Sequence, residues 1–496
     1  MAPPPAAGAD RAWRGLALSV TTLTHAAALG GALLAGDRLL LTRNPPLRSF
    51  AGLATMLVEG RTLLRGAGLP VRDHAPLGAL ATWTSWEWFR ADPLAQHAIN
   101  LGLTVALAAA LIALLRAARV AAPLAACAAL ALALHPCAAD LSAPLAGRDA
   151  LLALALTVLA ARRVVDAPPA AAVTWTAAAS LGAGLCAPGY GLLGLVPVGF
   201  VRAPSARAAS LAAATLAALA ALALSAGGAP AMPSIAAARA GSTASLLAWL
   251  PSPTAFVAMT SSAAVDGAAL VPLALAALAL VFAARTRDPD DASLLRAAAG
   301  ALAAATLAAT LAGAARVVVG APSLALHLGL VLAMTGLVRS RGKSIAARAR
   351  PWMLVGFALP AALTAHRARS WADEDSTLRA IAARTPADPE ASLARARLAL
   401  RARDLPAAAP WCLRYMQAQP DTGRADGCAG AVMAARGDHR ASVLHLRRWA
   451  RSLDDRRALR AATLELSDAL PDHRFAEAFT EATAFALPSR RPGEPR

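Results

Sequence analysis

Asp37 follows a long apolar stretch, and His135, Asp140, Arg148 and Asp149 crowd the short connection between two others. Arg316 closes a further apolar stretch, while His97 and Asn100 stand near the start of another. A carboxylate can take a proton from an attacking hydroxyl. Guanidinium groups and hydrogen-bond donors can hold a departing phosphate. Each residue also has a plainer role. Asp37 can be a helix-end carboxylate in solvent, and Asp149 can cap a helix electrostatically. Arg148 can pair with Asp140 or Asp149, and Arg316 can snorkel to headgroups. Residue type alone leaves both sets of roles open.

The elements that must position these residues are apolar. Of 496 residues 57% are hydrophobic and 16% charged, with a mean hydropathy of +0.51. Soluble domains carry about a quarter charged residues, and about 20 apolar residues cross a bilayer core as a helix. Apolar spans are predicted near 15–35, 94–115, 120–136, 146–161, 170–186, 190–201, 208–226, 267–284, 297–314, 319–338 and 352–366. The first is longer than a signal-peptide core, which favours a retained anchor over a cleaved leader. His25 and His327 fall within spans, where packing or hydrogen bonding is the ordinary role.

Arginine supplies nearly all the positive charge, Lys343 being the only lysine. The formal net charge of +18 raises a nucleic-acid reading. It is excluded because the arginines stand in short clusters between apolar runs rather than on one basic face. Arg11 and Arg14 precede the first span. Alternate connections then carry Arg116 and Arg119, Arg162 and Arg163, Arg202 and Arg207, Arg285 and Arg287, and the group from Arg339 to Arg350. Positive loops face the cytoplasm. This predicts a bacterial inner-membrane protein with a cytoplasmic N-terminus, and with 37–93, 137–148, 227–266 and everything after about 367 in the periplasm. The 37–93 loop is itself arginine-rich, but long loops are translocated largely regardless of charge. Its Trp83, Trp86, Trp88 and Phe89 read as an interfacial helix lying on the membrane.

Cys127, Cys137, Cys186, Cys412 and Cys428 form no CxxC and no ligand cluster with histidine, so no metal site is indicated. Cys137 and Cys186 fall near one predicted face, as separate thiols or as a pair, the former favoured.

After residue 367 the apolar runs give way to charged amphipathic helices. Features recur at a step of 34: Pro386 and Pro420; Asp404, Asp438 and Asp472; Ala408, Ser442 and Ala476; His439 and His473. That period is the tetratricopeptide signature. Small residues at Ala396, Ala408, Gly430, Ser442 and Ala476 would let paired helices approach closely, although Ser392 stands where the usual tryptophan belongs. The expected fold is all-α: a membrane bundle of about eleven spans over 1–367, a repeat solenoid over 368–487 and a disordered tail over 488–496.

In order along the chain stand Gly36-Asp37 leading to Asn44-Pro45, then His74-Ala75-Pro76-Leu77, then Pro93, His97 and Asn100. They are followed by His135-Pro136 with Asp140, by Gly147-Arg148-Asp149, and by Ala315-Arg316 with Gly320-Ala321-Pro322-Ser323. These match, in eroded form, motifs of the transmembrane-and-tetratricopeptide-repeat proteins related to protein O-mannosyltransferases, which the chain resembles over about 30–420. The resemblance implies a membrane region of the GT-C glycosyltransferase class. Departures from the pattern are Gly36 for an acid, Ala75 for an arginine, Thr104 for a histidine and the absence of a Lys-Glu pair near Tyr190.

The resemblance implies transfer of a sugar from a polyprenyl-phosphate donor to a hydroxyl of a periplasmic protein or glycan. Asp37 would be the base, and His97, Asn100, His135, Asp140, Arg148 and Arg316 would surround the donor phosphate. The repeats would bind the acceptor or a partner. The lost motif residues favour the alternative of a membrane-anchored scaffold without catalysis. A transporter is the third reading, weakened by the scarcity of midspan ionisable residues and of any evident inverted repeat.

Overall fold

The computed structural model describes residues 7–33, 41, 45–59, 75–186, 188–225, 270–315, 320–340, 357–382, 389–402, 404–418 and 423–451. Asp37, Asn44, His74, Arg316, Pro386, Pro420, Asp472, His473, Ala476 and the tail lie outside them. The described residues are helical, without strands. The chain divides into two compact units. One comprises 1–37, 45–61 and 73–373, and the other 38–44, 62–72 and 374–496.

In the first unit the helices are α1 (Ala7–His25), α2 (Phe50–Glu59), α3 (Pro76–Phe89), α4 (Pro93–Ala117), α5 (Ala122–Ala133), α6 (Pro136–Ser142), α7 (Arg148–Val165) and α8 (Pro169–Cys186). They continue with α9 (Leu195–Phe200), α10 (Pro204–Ser225), α11 (Leu270–Arg285), α12 (Pro289–Ala315), α13 (Gly320–Ser340) and α14 (357–369). Their starts follow from sequence. Proline opens many of them, in the first turn, where its missing N–H would have had no partner within the helix. At α4, Asp92 accepts from the Leu94 backbone N–H at 3.2 Å and Pro93 follows it.

Two predicted spans change shape. The first ends its α-helix at His25, followed by one 3₁₀ turn to Ala28, because Gly30 and Gly31 carry little helix propensity. The 190–201 segment is a 3₁₀ run, Pro188–Gly194, leading into the six-residue α9 rather than one α-helix. Those rises still cover about 23 Å. By length and composition, one described helix, α4, is long and apolar enough to cross a membrane, with a hydropathy of 2.3.

The packing stacks Ala and Leu from α4, α5, α7, α12 and α13 into one core. α5 ends just before Pro136, whose ring disfavours helix at the preceding residue. A helix end leaves carbonyls unpaired, and here other helices meet them. Ala131 O accepts from His327 Nε2 of α13 and Ala133 O from His25 Nε2 of α1, each at 2.9 Å, while Leu134 O accepts from Thr364 Oγ1 of α14. His25 Nδ1 then faces the Ser142 hydroxyl at 2.8 Å. His25 and His327 are therefore packed and hydrogen-bonded.

Arg119, Arg202 and Arg339 meet in one ion-pair network around the start of α12, while Arg162 pairs apart from it with Asp166 at 2.9 Å. Asp290 at the start of α12 pairs with Arg202 at 3.1 Å and with Arg119 at 3.8 Å. Arg339 at the end of α13 reaches Asp291 at 3.1 Å, Asp288 and Asp290 at 3.4 Å, and the Ala118 carbonyl. Arg116 pairs with Asp10 of α1.

The second unit holds α15 (Glu374–Ala382), α16 (Pro389–Arg401), α17 (Leu405–Ala418), α18 (Gly423–Arg436) and α19 (His439–Arg451). The pairs α16–α17 and α18–α19 start 34 residues apart, and their caps repeat with them. Asp404 Oδ1 accepts from Ala407 N at 3.1 Å, and Asp438 Oδ1 from Ala441 N at 3.0 Å. Ala396, Ala408 and Ser442 are fully buried, and a Cβ on Gly430 would lie 2.7 Å from Leu446 Cγ. Cys412 and Cys428 form a disulfide between α17 and α18, with Cα atoms 5.8 Å apart. Cys127 and Cys186 are buried free thiols.

Candidate functional site

Arg148 opens α7, held there by the tight turn before it. A Cβ on Gly147 would fall 2.5 Å from the Leu141 Cα, so only glycine lets that turn fold back onto α6. The Arg148 side chain is 2% exposed. Its Nε donates to Asn100 Oδ1 at 2.9 Å and one terminal nitrogen to Ser85 Oγ at 2.6 Å. The other terminal nitrogen donates to both Gln96 O and Gln96 Oε1 at 3.0 Å. Gln96 Nε2 reaches back to Arg90 O at 2.7 Å and Ser85 O at 3.2 Å, tying the end of α3 to the start of α4.

Asn100 and His97 complete this cluster from α4. Asn100 Nδ2 donates to Pro144 O and His97 Nδ1 to Ala143 O, both at 2.9 Å. His97 Nε2 has no hydrogen-bond partner among the described residues, and the backbone of Gly31 and Ala32 comes close to the ring. Asp149, next to Arg148, lies against Gly78 of α3, where a Cβ would stand 2.6 Å from its Cγ.

Asp140 on α6 is engaged separately. Its Oδ1 accepts from Arg367 Nε and from Trp371 Nε1, each at 2.8 Å. His135 stacks on His327 with ring centroids 4.2 Å apart. Of the sequence-predicted residues, then, His97, Asn100 and Arg148 form one cluster, with Asp140 and His135 in neighbouring contacts on the same α5–α7 connection. Asp37 and Arg316 lie outside the described residues. Among the described residues no three His, Cys, Asp or Glu side chains converge as metal ligands do.

Sequence reasoning missed Ser85, Gln96, Arg367 and Trp371. Gln96 had a signal: with His97, Asn100 and Thr104 it makes a polar stripe at helical spacing on an apolar helix. Ser85 had none. Arg367 and Trp371 reach Asp140 across more than two hundred residues of sequence.

As it stands the cluster is a closed hydrogen-bond network around a buried guanidinium, able to clamp α3, α4 and α7 together. Compared with known proteins, the chain matches no family model, no curated protein and no solved structure.

Proposed function

We propose that this chain is a polytopic inner-membrane protein, glycosyltransferase-like in its membrane part, that works as an anchored tetratricopeptide-type scaffold for a periplasmic partner. The carrying observation is Arg148. The residue best matched to a donor-phosphate role is buried, with its donors committed to Asn100, Ser85 and Gln96. Opening it to a lipid phosphate means breaking that network first.

The membrane reading, with about eleven crossings, is supported by an inverted distribution of polarity. Leu23, Leu211, Leu216, Leu224, Leu359 and Met334 are exposed on the outside of the unit, while Arg148, Asn100, His25 and Asp140 are inside. Ionisable groups in membranes face the bundle interior and pair there. Arg119, Arg202 and Arg339, assigned to cytoplasmic connections, share Asp290 in linked ion pairs, which fits their lying on one side. The two 34-residue helix pairs support the repeat reading.

The test is a reconstituted assay with a polyprenyl-phosphate-linked mannose and a hydroxyl-bearing peptide, beside crosslinking of the intact membrane protein in cells. The scaffold reading expects no donor binding, no transfer, and a periplasmic crosslink that disappears when 374–451 is deleted. Sugar transfer that depends on Asp37 would reject it.

Sugar transfer is the second reading, favoured by one contact. Gly31 and Ala32, six and five residues before Asp37 in the sequence, lie against the His97 ring. Asp37 would then serve as base, with Arg148 and Arg316 on the phosphate. Asp37→Asn should lower turnover by about 10²–10⁴ while leaving the fold intact. Equal product from both proteins rejects that assignment.

A further inference from the structure

Cys412 and Cys428 occupy positions where the repeat asks only for apolar packing. One step of 34 residues carries Cys412 onto Leu446, and one step back carries Cys428 onto Ala394, both buried. Neither position needs sulfur to fill it. Yet the two cysteines face each other, with Cα atoms 5.8 Å apart, inside the range that disulfides require. They join the second helix of one pair to the first helix of the next. Both are nearly fully buried, at 3% and 4% exposure.

We propose that this bond is made by thiol oxidation in an oxidising compartment before the two helix pairs close, and that it fixes the junction between them. The inference rests on the reading of the repeats as periplasmic. Chemically, one thiolate attacks the disulfide of an oxidised thiol–disulfide oxidoreductase, and the second thiolate displaces that enzyme from the mixed disulfide. The two cysteines lose two protons and two electrons, and the oxidoreductase leaves as a dithiol. Burial in the folded unit shuts the pair away from any protein oxidant, so oxidation must precede packing. Cytosolic thiols stay reduced, so a cytoplasmic repeat unit would not acquire the bond. In a repeat stack the junction angle sets the curvature of the binding face. The bond thus fixes the shape offered to a partner.

The test uses the whole chain in cells, with free thiols blocked by a maleimide under denaturing conditions and digestion without reductant. Trypsin cleavage after Arg403, Arg414, Arg424 and Arg436 releases the cysteines on separate peptides, 404–414 and 425–436. The expected result is that these are recovered mainly as one linked species, falling several-fold in cells lacking the compartment's thiol oxidase. Recovery of both peptides singly, each carrying maleimide, overturns the proposal. Protease treatment of spheroplasts reads the location independently. Unlinked cysteines in a digestible repeat unit remove the bond and leave the periplasmic reading standing. Unlinked cysteines in a protected unit remove both, and a linked pair in a protected unit overturns the compartment argument.

Discussion

Arg148 and Asn100 meet across the contact of α7 with α4, the guanidinium Nε donating to the amide oxygen at 2.9 Å while the amide nitrogen donates to Pro144 O. One asparagine thereby ties a buried cation to the turn that precedes it. Arg148→Ala leaves the acceptors on Asn100, Ser85 and Gln96 buried without this donor. Each neutral acceptor left buried without a donor costs about 1–3 kcal/mol. A matching fall in the thermal midpoint of the detergent-purified protein is expected. Arg148→Lys should not restore it, since an ammonium lacks the planar fork. Unchanged stability with lost donor binding would instead return Arg148 to the phosphate.

Gly147→Ala should be damaging. The new Cβ meets Leu141 backbone rather than a side-chain tip, so nothing nearby can swing away. A cost of at least about 1–3 kcal/mol follows from overpacking. The check is a lower yield of folded protein together with a lower thermal midpoint. Wild-type behaviour would mean that the α6–α7 turn relaxes freely.

Asp404→Ala and Asp438→Ala should behave alike. Each side chain accepts from the backbone N–H three residues on, at 3.1 and 3.0 Å. Removing such a cap costs about 1 kcal/mol. The caps lie on different helix pairs, so the double variant should lose close to the sum. Urea unfolding of the repeat unit, followed through Trp411 and Trp449, is the measurement. A large loss at only one site would argue against equivalent repeats.

Asp291 predicts a pH effect. Burial pushes its carboxyl up, Arg339 opposes that shift, and Asp288 and Asp290 reinforce it. A carboxyl raised on folding binds its proton more tightly in the native state. Its contribution therefore favours the fold at pH below the unfolded value near 3.8 and fades as pH rises through the folded value. Asp291→Asn should flatten the stability–pH profile over that window. An unchanged slope would show that Arg339 fully offsets the burial.

Much of the helical layout was readable because local chemistry decides it. Proline at helix starts, Asp92 before Pro93, and the step from Asp404 to Asp438 are each set by a few adjacent residues. The contacts that define the site were not readable in the same way. Ser85 lies 63 residues from Arg148, and Trp371 lies 231 from Asp140. A neutral serine on an aromatic helix gives no hint that a guanidinium will reach it. The cysteine pair was equally silent, because each cysteine stands where leucine or alanine would serve.

The break before Pro136 also sets a timetable for synthesis. Ala133 O finds His25 at once, since α1 is already made. Ala131 O waits 196 residues for His327, and Leu134 O waits 230 for Thr364. At ribosomal speeds of about 5–20 residues per second that interval is roughly 10–50 s. Throughout it, those carbonyls depend on other partners, such as water, for hydrogen bonds. The N-terminal helices therefore cannot finish as a self-sufficient assembly, and any fragment that stops short of Thr364 carries an open seam at their centre.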